Sequence, residues 1–301
     1  MKSTIKQFNK KDAFTIVELL TVMSVIIILI GLLVPALNRV KRFAKDVKQK
    51  AQFHSIDVAL ELFETEFDGY PNSDERDENN TPYCGAMKLC EAMMGQDLLG
   101  FHPDSHFNDD DGTGQDELYP DNAPSTPYPA WYTDNLKARR GPYLQLDNAN
   151  AYKLKDIYAD TKPFNKEKFV LCDVYKRVTN KFTGKKIGMP ILYYKADTSK
   201  NSHDPNDPKN EDNIYDYKDN HELLALGMPW IPPSMGSVHK LLRDSAAGEG
   251  PGYRFYLNTK NDSITGTSRP CRSDSYVLIS AGFDGEYGTP DDICNFKWTY
   301  K

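Results

Sequence analysis

Four carboxylates lie within nine residues near the carboxyl end of the chain, in the segment SAGFDGEYGTPDDI. They are Asp284, Glu286, Asp291 and Asp292, and three glycines are interspersed with them. Hard cations such as Ca²⁺ take about six to eight oxygen ligands, and glycine lets a loop curl so that backbone carbonyls supply some of them. The residue types and their spacing therefore predict a Ca²⁺ site in this loop. The alternative is a solvated acidic turn.

A single carboxylate, Glu18, lies near the start of an apolar run that extends from Ala13 to Leu37. An acidic side chain costs about 2.5–3.5 kcal/mol at the centre of a membrane helix and less near an end, so such a residue has a function by default. The 24 residues from Phe14 to Leu37 would make about 36 Å of helix, enough for a hydrocarbon core of about 30 Å. The run therefore predicts a membrane-spanning helix whose carboxylate has a purpose.

Two other interpretations of this run are open. An ordinary secretory signal could be cleaved after Ala36, but its apolar core is typically about 7–15 residues, shorter than the run seen here. A plain single-pass anchor fits the length and leaves Glu18 without a purpose. The flanking charges do not settle the orientation. Four lysines precede the run and six basic residues follow it between Arg39 and Lys50, a count that taken alone would place the C-terminal part in the cytoplasm.

The block around Glu18 resembles the signal of type IV prepilins, which has a basic leader, a small residue, Phe, a Thr-Ile/Leu-Val-Glu run and an apolar helix. Residues 1–13 match the leader, with Ala13 where the family usually has glycine. The resemblance implies cleavage between Ala13 and Phe14 by a prepilin peptidase, followed by N-methylation of Phe14. Glu18 would then neutralise the new amine of a neighbouring subunit in a filament, and this pairing would specify the stagger between subunits.

Beyond Leu37 the apolar pattern keeps a helical period. Its members are Val40, Phe43, Val47, Ala51, Ile56, Leu60, Phe63 and Phe67. The sequence Asp-Gly-Tyr-Pro at residues 68–71 then supplies a glycine cap and a proline, which end a helix. We therefore expect one helix from Phe14 to about Phe67, whose second half packs its apolar side against a globular domain.

Later segments rich in β-branched and aromatic residues predict strands, and the long spacers between them suit an antiparallel sheet. The predicted strands are Phe169–Val174, Ile191–Lys195, Tyr253–Leu257 and Tyr276–Ser280, and the predicted short helices are Ala86–Met94 and His221–Leu226. The expected fold class is α+β, with a long N-terminal helix on a small antiparallel sheet with large loops, which resembles the pilin fold. The expected organisation is a leader at 1–13, a transmembrane half-helix at 14–37, its amphipathic continuation at 38–68, and a globular domain at 69–301 with an insertion at about 72–154.

Composition and motifs exclude several classes of function. The net charge is −6, and removal of residues 1–13, with four lysines and one aspartate, would make it −9, which argues against nucleic acid as a partner. The five cysteines include no CxxC pair, so up to two disulfides or buried free thiols are both open. Scattered histidines at positions 54, 203, 221 and 239 are expected on the surface. The chain has no HExxH, GxSxG, P-loop or GxGxxG motif, so we expect no enzymatic activity.

The C-terminal acidic loop resembles the calcium loop of major pseudopilins from type II secretion systems. Together with the N-terminal block, it makes the chain most similar to that family. The resemblance implies a structural filament subunit of the inner membrane, with its C-terminal domain outside the cytoplasm. Its partners would be the prepilin peptidase, other pilin or pseudopilin subunits and the inner-membrane assembly platform. The alternative is a membrane-anchored ectodomain that binds a ligand or polysaccharide and uses the signal only for export.

Overall fold

The computed structural model describes residues 15–109, 117–120, 125–180, 183–232, 236–243, 250–297 and 299–300. Ala13 and Phe14, where cleavage and methylation are predicted, lie outside the described residues. The chain divides into two compact units, Met1–Ala44 and Lys45–Lys301. All elements other than the first half of the long helix belong to the second unit.

The helices and strands are short, with one exception. The helices are α1 (Ile16–Phe67), α2 (Gly85–Met94), α3 (Ala130–Ala138), α4 (Leu146–Ala149), α5 (Leu154–Ile157), α6 (His221–Ala225) and α7 (Tyr253–Thr259), with 3₁₀ turns at Tyr217–Asn220 and Lys240–Leu242. The strands are β1 (Ala151–Lys153), β2 (Phe169–Leu171), β3 (Val178–Thr179), β4 (Lys186–Ile187), β5 (Leu192–Lys195), β6 (Tyr276–Ser280) and β7 (Ile293–Cys294). The expected α+β class is confirmed.

In the first unit, α1 exposes an almost wholly apolar surface from Ile16 to Leu37, continues through Pro35 and becomes basic from Arg39 to Arg42. Ile16 is 77% exposed and Leu32 is 71% exposed. By length and composition, this is the only helix in the described part of the chain that could cross a membrane, and a signal sequence would meet the same criteria. The expected long N-terminal helix is therefore confirmed, whereas its place in a membrane remains a prediction.

In the second unit, α1 buries one face. The buried residues are Gln49, Gln52, Phe53, Ile56, Ala59, Leu60 and Phe63. The apolar ones form a cluster with side chains of α2 and of the central strand, among them Met93 and Leu278. The expected packing of the helix is thus confirmed from Phe53 onward. The first part of the predicted stripe is exposed instead, at Val40, Phe43, Val47 and Ala51. The buried positions in residues 45–52 belong to Gln49 and Gln52, which bond to the backbone of the domain.

The described strands form three small antiparallel sheets, β1–β2, β3–β4 and β5–β6–β7. In the largest, Leu192 lies opposite Ile279 and Ile279 lies opposite Cys294. Strand β6 is central and buried along its whole length. Its successive side chains point to opposite faces, so Leu278 joins the cluster under α1 while Val277 and Ile279 join a second core cluster. The sheet therefore separates two cores, which explains a strand without polar alternation.

Two buried glutamines of α1 hold the segment that follows β2. Gln49 accepts a hydrogen bond at 3.0 Å from the backbone N–H of Val174, and Gln52 donates at 3.0 Å to the carbonyl of Cys172. Gln52 also lies within 3.2 Å of the carbonyl of Asn148. These contacts satisfy backbone groups that the short strands leave unpaired. The helix is therefore fixed in register as well as by apolar contact.

Most predicted elements recur with shorter bounds, but the predicted strand Tyr253–Leu257 is wrong. That segment lies in α7, which begins after Gly252 in a left-handed conformation (φ 96°). Aromatic residues favour strands, yet this preference depends on context. Here Phe255 packs on Tyr194 at 4.5 Å between ring centroids, and the hydroxyl of Tyr256 donates at 2.8 Å to the carbonyl of Tyr215. Tertiary contacts on one helical face outweigh the local preference.

The structure also shows whether the cysteines form disulfides and whether the histidines lie on the surface. All five cysteines are free thiols, and Cys84, Cys90 and Cys172 are buried. The expectation of surface histidines is wrong for His203 and His239, which are 1% and 0% exposed. Burial lowers the pKa of His203 to about 4 and that of His239 to about 3, so both are neutral parts of the core.

The orientation of α1 can be tested by truncating two nearby side chains. Ile56→Ala should lower the free energy of unfolding by about 2–5 kcal/mol, because a fully buried side chain is replaced by a cavity. Val58, on the opposite face, is 44% exposed, so Val58→Ala should change it by less than about 0.5 kcal/mol. Chemical denaturation of full-length protein in detergent, followed by tryptophan fluorescence, measures both. Equal losses in the two variants would contradict the orientation.

Candidate functional site

The predicted calcium loop connects β6 to β7, and its backbone changes direction at glycine residues. Gly282, Gly285 and Gly288 all have positive φ angles, from 63° to 86°. A Cβ atom at Gly282 would lie 2.2 Å from the carbonyl oxygen of Asp291. Only glycine therefore lets the two sides of the loop come this close. The expectation that glycine shapes this loop is consistent with its backbone.

Asp291 organises the loop from within. Its Oδ2 accepts hydrogen bonds from the backbone N–H groups of Phe283 at 2.8 Å and Asp284 at 3.0 Å. Its Oδ1 accepts a bond at 2.8 Å from the hydroxyl of Thr289. Burial acts to raise the pKa of Asp291, but these hydrogen bonds outweigh it and lower the pKa below its usual range. Asp291 is thus an ionised carboxylate whose oxygens are engaged by the protein.

Asp284 and Asp292 lie in the same loop and have the opposite tendency. The side chains of Asp284 and Asp291 are hydrogen-bonded to each other, and burial together with this contact raises the pKa of Asp284. Asp292 is 4% exposed, and its Oδ2 accepts a bond at 2.7 Å from the N–H of Gly288. Burial raises the pKa of Asp292 well above its usual range. Two carboxyls of the loop therefore favour a proton, or another positive charge, beside them.

Glu286, the fourth predicted ligand, faces two cations. Its carboxylate lies 3.4 Å from Arg243 and 3.7 Å from Lys240. Both cations come from the segment of the 3₁₀ turn, whose Leu241 N–H donates at 3.0 Å to the carbonyl of Tyr287. The structure therefore brings Asp284, Asp291 and Asp292 together and gives Glu286 a different partner.

These positions decide how well the loop fits Ca²⁺. The contact between Asp284 and Asp291 is the kind of like-charge pair that a cation relieves. Across the described ranges, however, no group of three or more His, Cys, Asp or Glu side chains is arranged to hold a metal ion. Backbone N–H groups and Thr289 occupy carboxylate oxygens that a metal would need. Asp284 is engaged as well, since its Oδ1 accepts a bond at 2.8 Å from the N–H of Glu286. The calcium site remains a prediction.

A buried carboxyl that sequence reasoning missed, Asp173, joins the loop to the rest of the domain. Its Oδ1 accepts bonds from the N–H groups of Tyr175 at 3.1 Å and Met189 at 3.2 Å, and its Oδ2 accepts one at 3.1 Å from the hydroxyl of Ser280. Burial raises the pKa of Asp173 to about 7. Nothing in the local sequence marks this residue, because two of its three partners, Met189 and Ser280, come from other segments of the chain.

The other predicted functional residue, Glu18, forms a capping box at the start of α1. Its Oε2 accepts hydrogen bonds from the backbone N–H of Thr15 at 2.9 Å and from the Thr15 hydroxyl at 2.8 Å. The Thr15 hydroxyl in turn accepts a bond at 3.3 Å from the N–H of Glu18. A threonine followed three residues later by glutamate is the sequence signature of this cap. Sequence reasoning missed it, although the signal was present.

Comparison of the chain with protein-family models, with curated proteins and with solved structures finds no match.

The calcium prediction can be tested on full-length protein in detergent. If the loop binds Ca²⁺, excess calcium should stabilise the folded state by RT ln(1 + [L]/Kd), about 2.7 kcal/mol at a hundredfold excess over Kd. The melting temperature should therefore be higher in calcium than in chelator. Asp284→Asn should remove most of this gain, since it deletes the charge while its amide oxygen can still accept the hydrogen bond from the N–H of Glu286. Asp212→Asn, an exposed residue elsewhere, is the matched control. An unmutated protein that melts at the same temperature in both solutions has no such site.

Proposed function

We propose that this protein is a structural subunit of a type II secretion pseudopilus or a type IV pilus-like filament. The observation that carries the proposal is the sequence Ala-Phe-Thr-Ile-Val-Glu at residues 13–18, directly before a helix that is apolar and long enough to span a membrane. A prepilin peptidase cuts after Ala13, and the first half of α1 then packs with the same half of other subunits. The chain is a substrate of that reaction and performs no catalysis.

The division of α1 into two parts supports this role. Apolar side chains dominate the exposed surface of residues 16–37, where Glu18, Thr21 and Ser24 are the main polar exceptions, whereas the part after Phe53 is anchored by a buried face. A subunit of this kind presents an apolar helix that is stable only in lipid or when packed against other helices. The globular unit is carried on the other half of the same helix and occupies the outside of the assembly.

Glu18 has two uses in this proposal, at different stages. In the single subunit its carboxylate accepts the hydrogen bonds of Thr15, which satisfies donors at the start of the helix. After cleavage, the amine of Phe14 in a neighbouring subunit is a stronger partner, because it carries a full positive charge in a poorly solvated layer. The capping hydrogen bonds therefore hold the Glu18 carboxylate at the end of the helix until a neighbouring subunit binds.

Processing is the first test of the proposal. We expect the mature protein to begin at Phe14 and to carry a methylated amine, since residues 10–18 match the substrate of a prepilin peptidase. Intact-mass and N-terminal peptide analysis of protein extracted from the membrane measures this directly. A mature start at Leu37 would establish an ordinary signal peptide, and an uncut chain would establish a plain anchor. Either result would end the filament proposal.

Substitutions at Glu18 separate its two uses. Glu18→Gln retains a side chain that can complete the capping box but removes the charge, so it should be cleaved normally and fail to enter filaments. Thr15→Ala removes the cap at a cost of about 1 kcal/mol in helix stability and keeps the charge, so it should still assemble. Sheared filament fractions from cells that also make the unmutated subunit measure incorporation. Normal incorporation of Glu18→Gln would show that the cap is the only use of this carboxylate.

A further inference from the structure

A cavity of about 510 Å³ lies in the second unit, beside α5 and β3. Its volume falls in the range of about 300–1,000 Å³ that is usual for small-molecule sites. Apolar side chains form part of its lining, among them Ile157, Val178, Pro229 and Trp230. No feature of the filament proposal uses this cavity.

Cations surround the apolar lining. Lys155, Lys166 and Arg177 all border the cavity. Lys155 is paired with Glu167 at 2.7 Å. Within the described ranges, Lys166 and Arg177 have no carboxylate partner. In a chain with a net charge of −6, two cations without a carboxylate partner at one cavity favour a ligand that carries negative charge.

The cavity also presents one carboxylate and a hydroxyl. Asp156 lines it, and its Oδ1 accepts a hydrogen bond at 3.1 Å from the side-chain amide of Asn180, which fixes the orientation of the carboxylate. Thr179, which carries a hydroxyl group, also lines the cavity. A fixed carboxylate accepts hydrogen bonds from hydroxyl groups well and repels a second anion. The ligand therefore has hydroxyl groups as well as its negative charge.

Trp230 is held in place from two sides. The guanidinium of Arg177 lies 4.9 Å from the centroid of its ring. On the loop side, a Cβ atom at Gly285 would lie 2.5 Å from the Cη2 atom of Trp230, so only glycine leaves room for the indole. The aromatic ring is thus positioned before any ligand binds, which reduces the entropy lost on binding.

We propose that this cavity binds a uronic-acid unit of an acidic polysaccharide. A pyranose ring has an apolar C–H face that packs against Trp230 and Pro229. Its carboxylate pairs with Lys166 and Arg177, and its hydroxyl groups donate to Asp156. A nucleotide would also use an aromatic ring and cations, but a phosphate carries more negative charge than one carboxylate, so Asp156 would repel it more strongly. The three kinds of group in one cavity favour the acidic sugar.

The test uses titration calorimetry on full-length protein in detergent, with short oligomers of galacturonic acid and of galactose. The acidic oligomer should bind at least about tenfold more tightly than the neutral one, since charge-assisted hydrogen bonds to the cations are lost with the carboxylate. Trp230→Ala and Lys166→Glu should each weaken binding of the acidic oligomer by at least about tenfold. Trp131→Ala and Lys162→Glu make the same changes outside the cavity and should leave binding unchanged.

Several outcomes would overturn the proposal. They are failure to bind the acidic oligomer, equal affinity for the neutral one, tighter binding of adenosine monophosphate, and unchanged binding by Lys166→Glu. Lys166 is exposed, so its substitution remains informative even if Trp230→Ala does not fold, and the melting temperature of each variant reports folding. The result is independent of the filament proposal, because the cavity uses no residue of α1.

Discussion

The burial of one face of α1 is the constraint on which the rest of the second unit depends. Ile56, Leu60 and Phe63 form one cluster with α2 and with Leu278 of the central strand β6. Three tyrosine hydroxyls then donate to carboxylates along the same helix. The pairs are Tyr175–Asp46, Tyr276–Asp57 and Tyr143–Glu66. Burial of the apolar side chains stabilises the contact between α1 and the domain. The directional hydrogen bonds fix the register of α1 against the domain, and this gives β6 and the loop that follows it a defined position.

The position of the acidic loop is set by β6, from which it leaves the sheet, and its conformation is set by hydrogen bonds within the loop. Asp291 binds N–H groups across the loop, and Asp173 binds the hydroxyl of Ser280 where the strand ends. Gly285 of the same loop supports Trp230 at the edge of the apolar cavity. The conformation of the loop and the position of Trp230 in the cavity wall are therefore coupled by direct contact. Any change in charge within the loop, by proton or cation, acts on a segment that contacts that wall.

The start of α1 shows how one residue can stabilise a helix end and, in the proposed filament, also take part in assembly. A carboxylate in an apolar helix is costly unless something neutralises or hydrogen-bonds it. Thr15 supplies hydrogen bonds within the subunit, which makes Glu18 tolerable in an isolated chain. A charged partner from another subunit would replace these bonds with a stronger interaction. The capping geometry thus complements, and does not replace, the pairing that the prepilin resemblance implies.

The sequence by itself determined the elements whose pattern is local and periodic. The long helix to Phe67 was predictable from its apolar periodicity. The strand Tyr276–Ser280 was predictable from its run of β-branched and aromatic residues. Tertiary structure decided the rest. It made a helix of Tyr253–Thr259, buried His203 and gave Glu286 two cationic partners. Each of these outcomes depends on contacts between groups that are far apart in the chain. Such contacts form only in the folded domain, so the conformational preferences of neighbouring residues do not determine them.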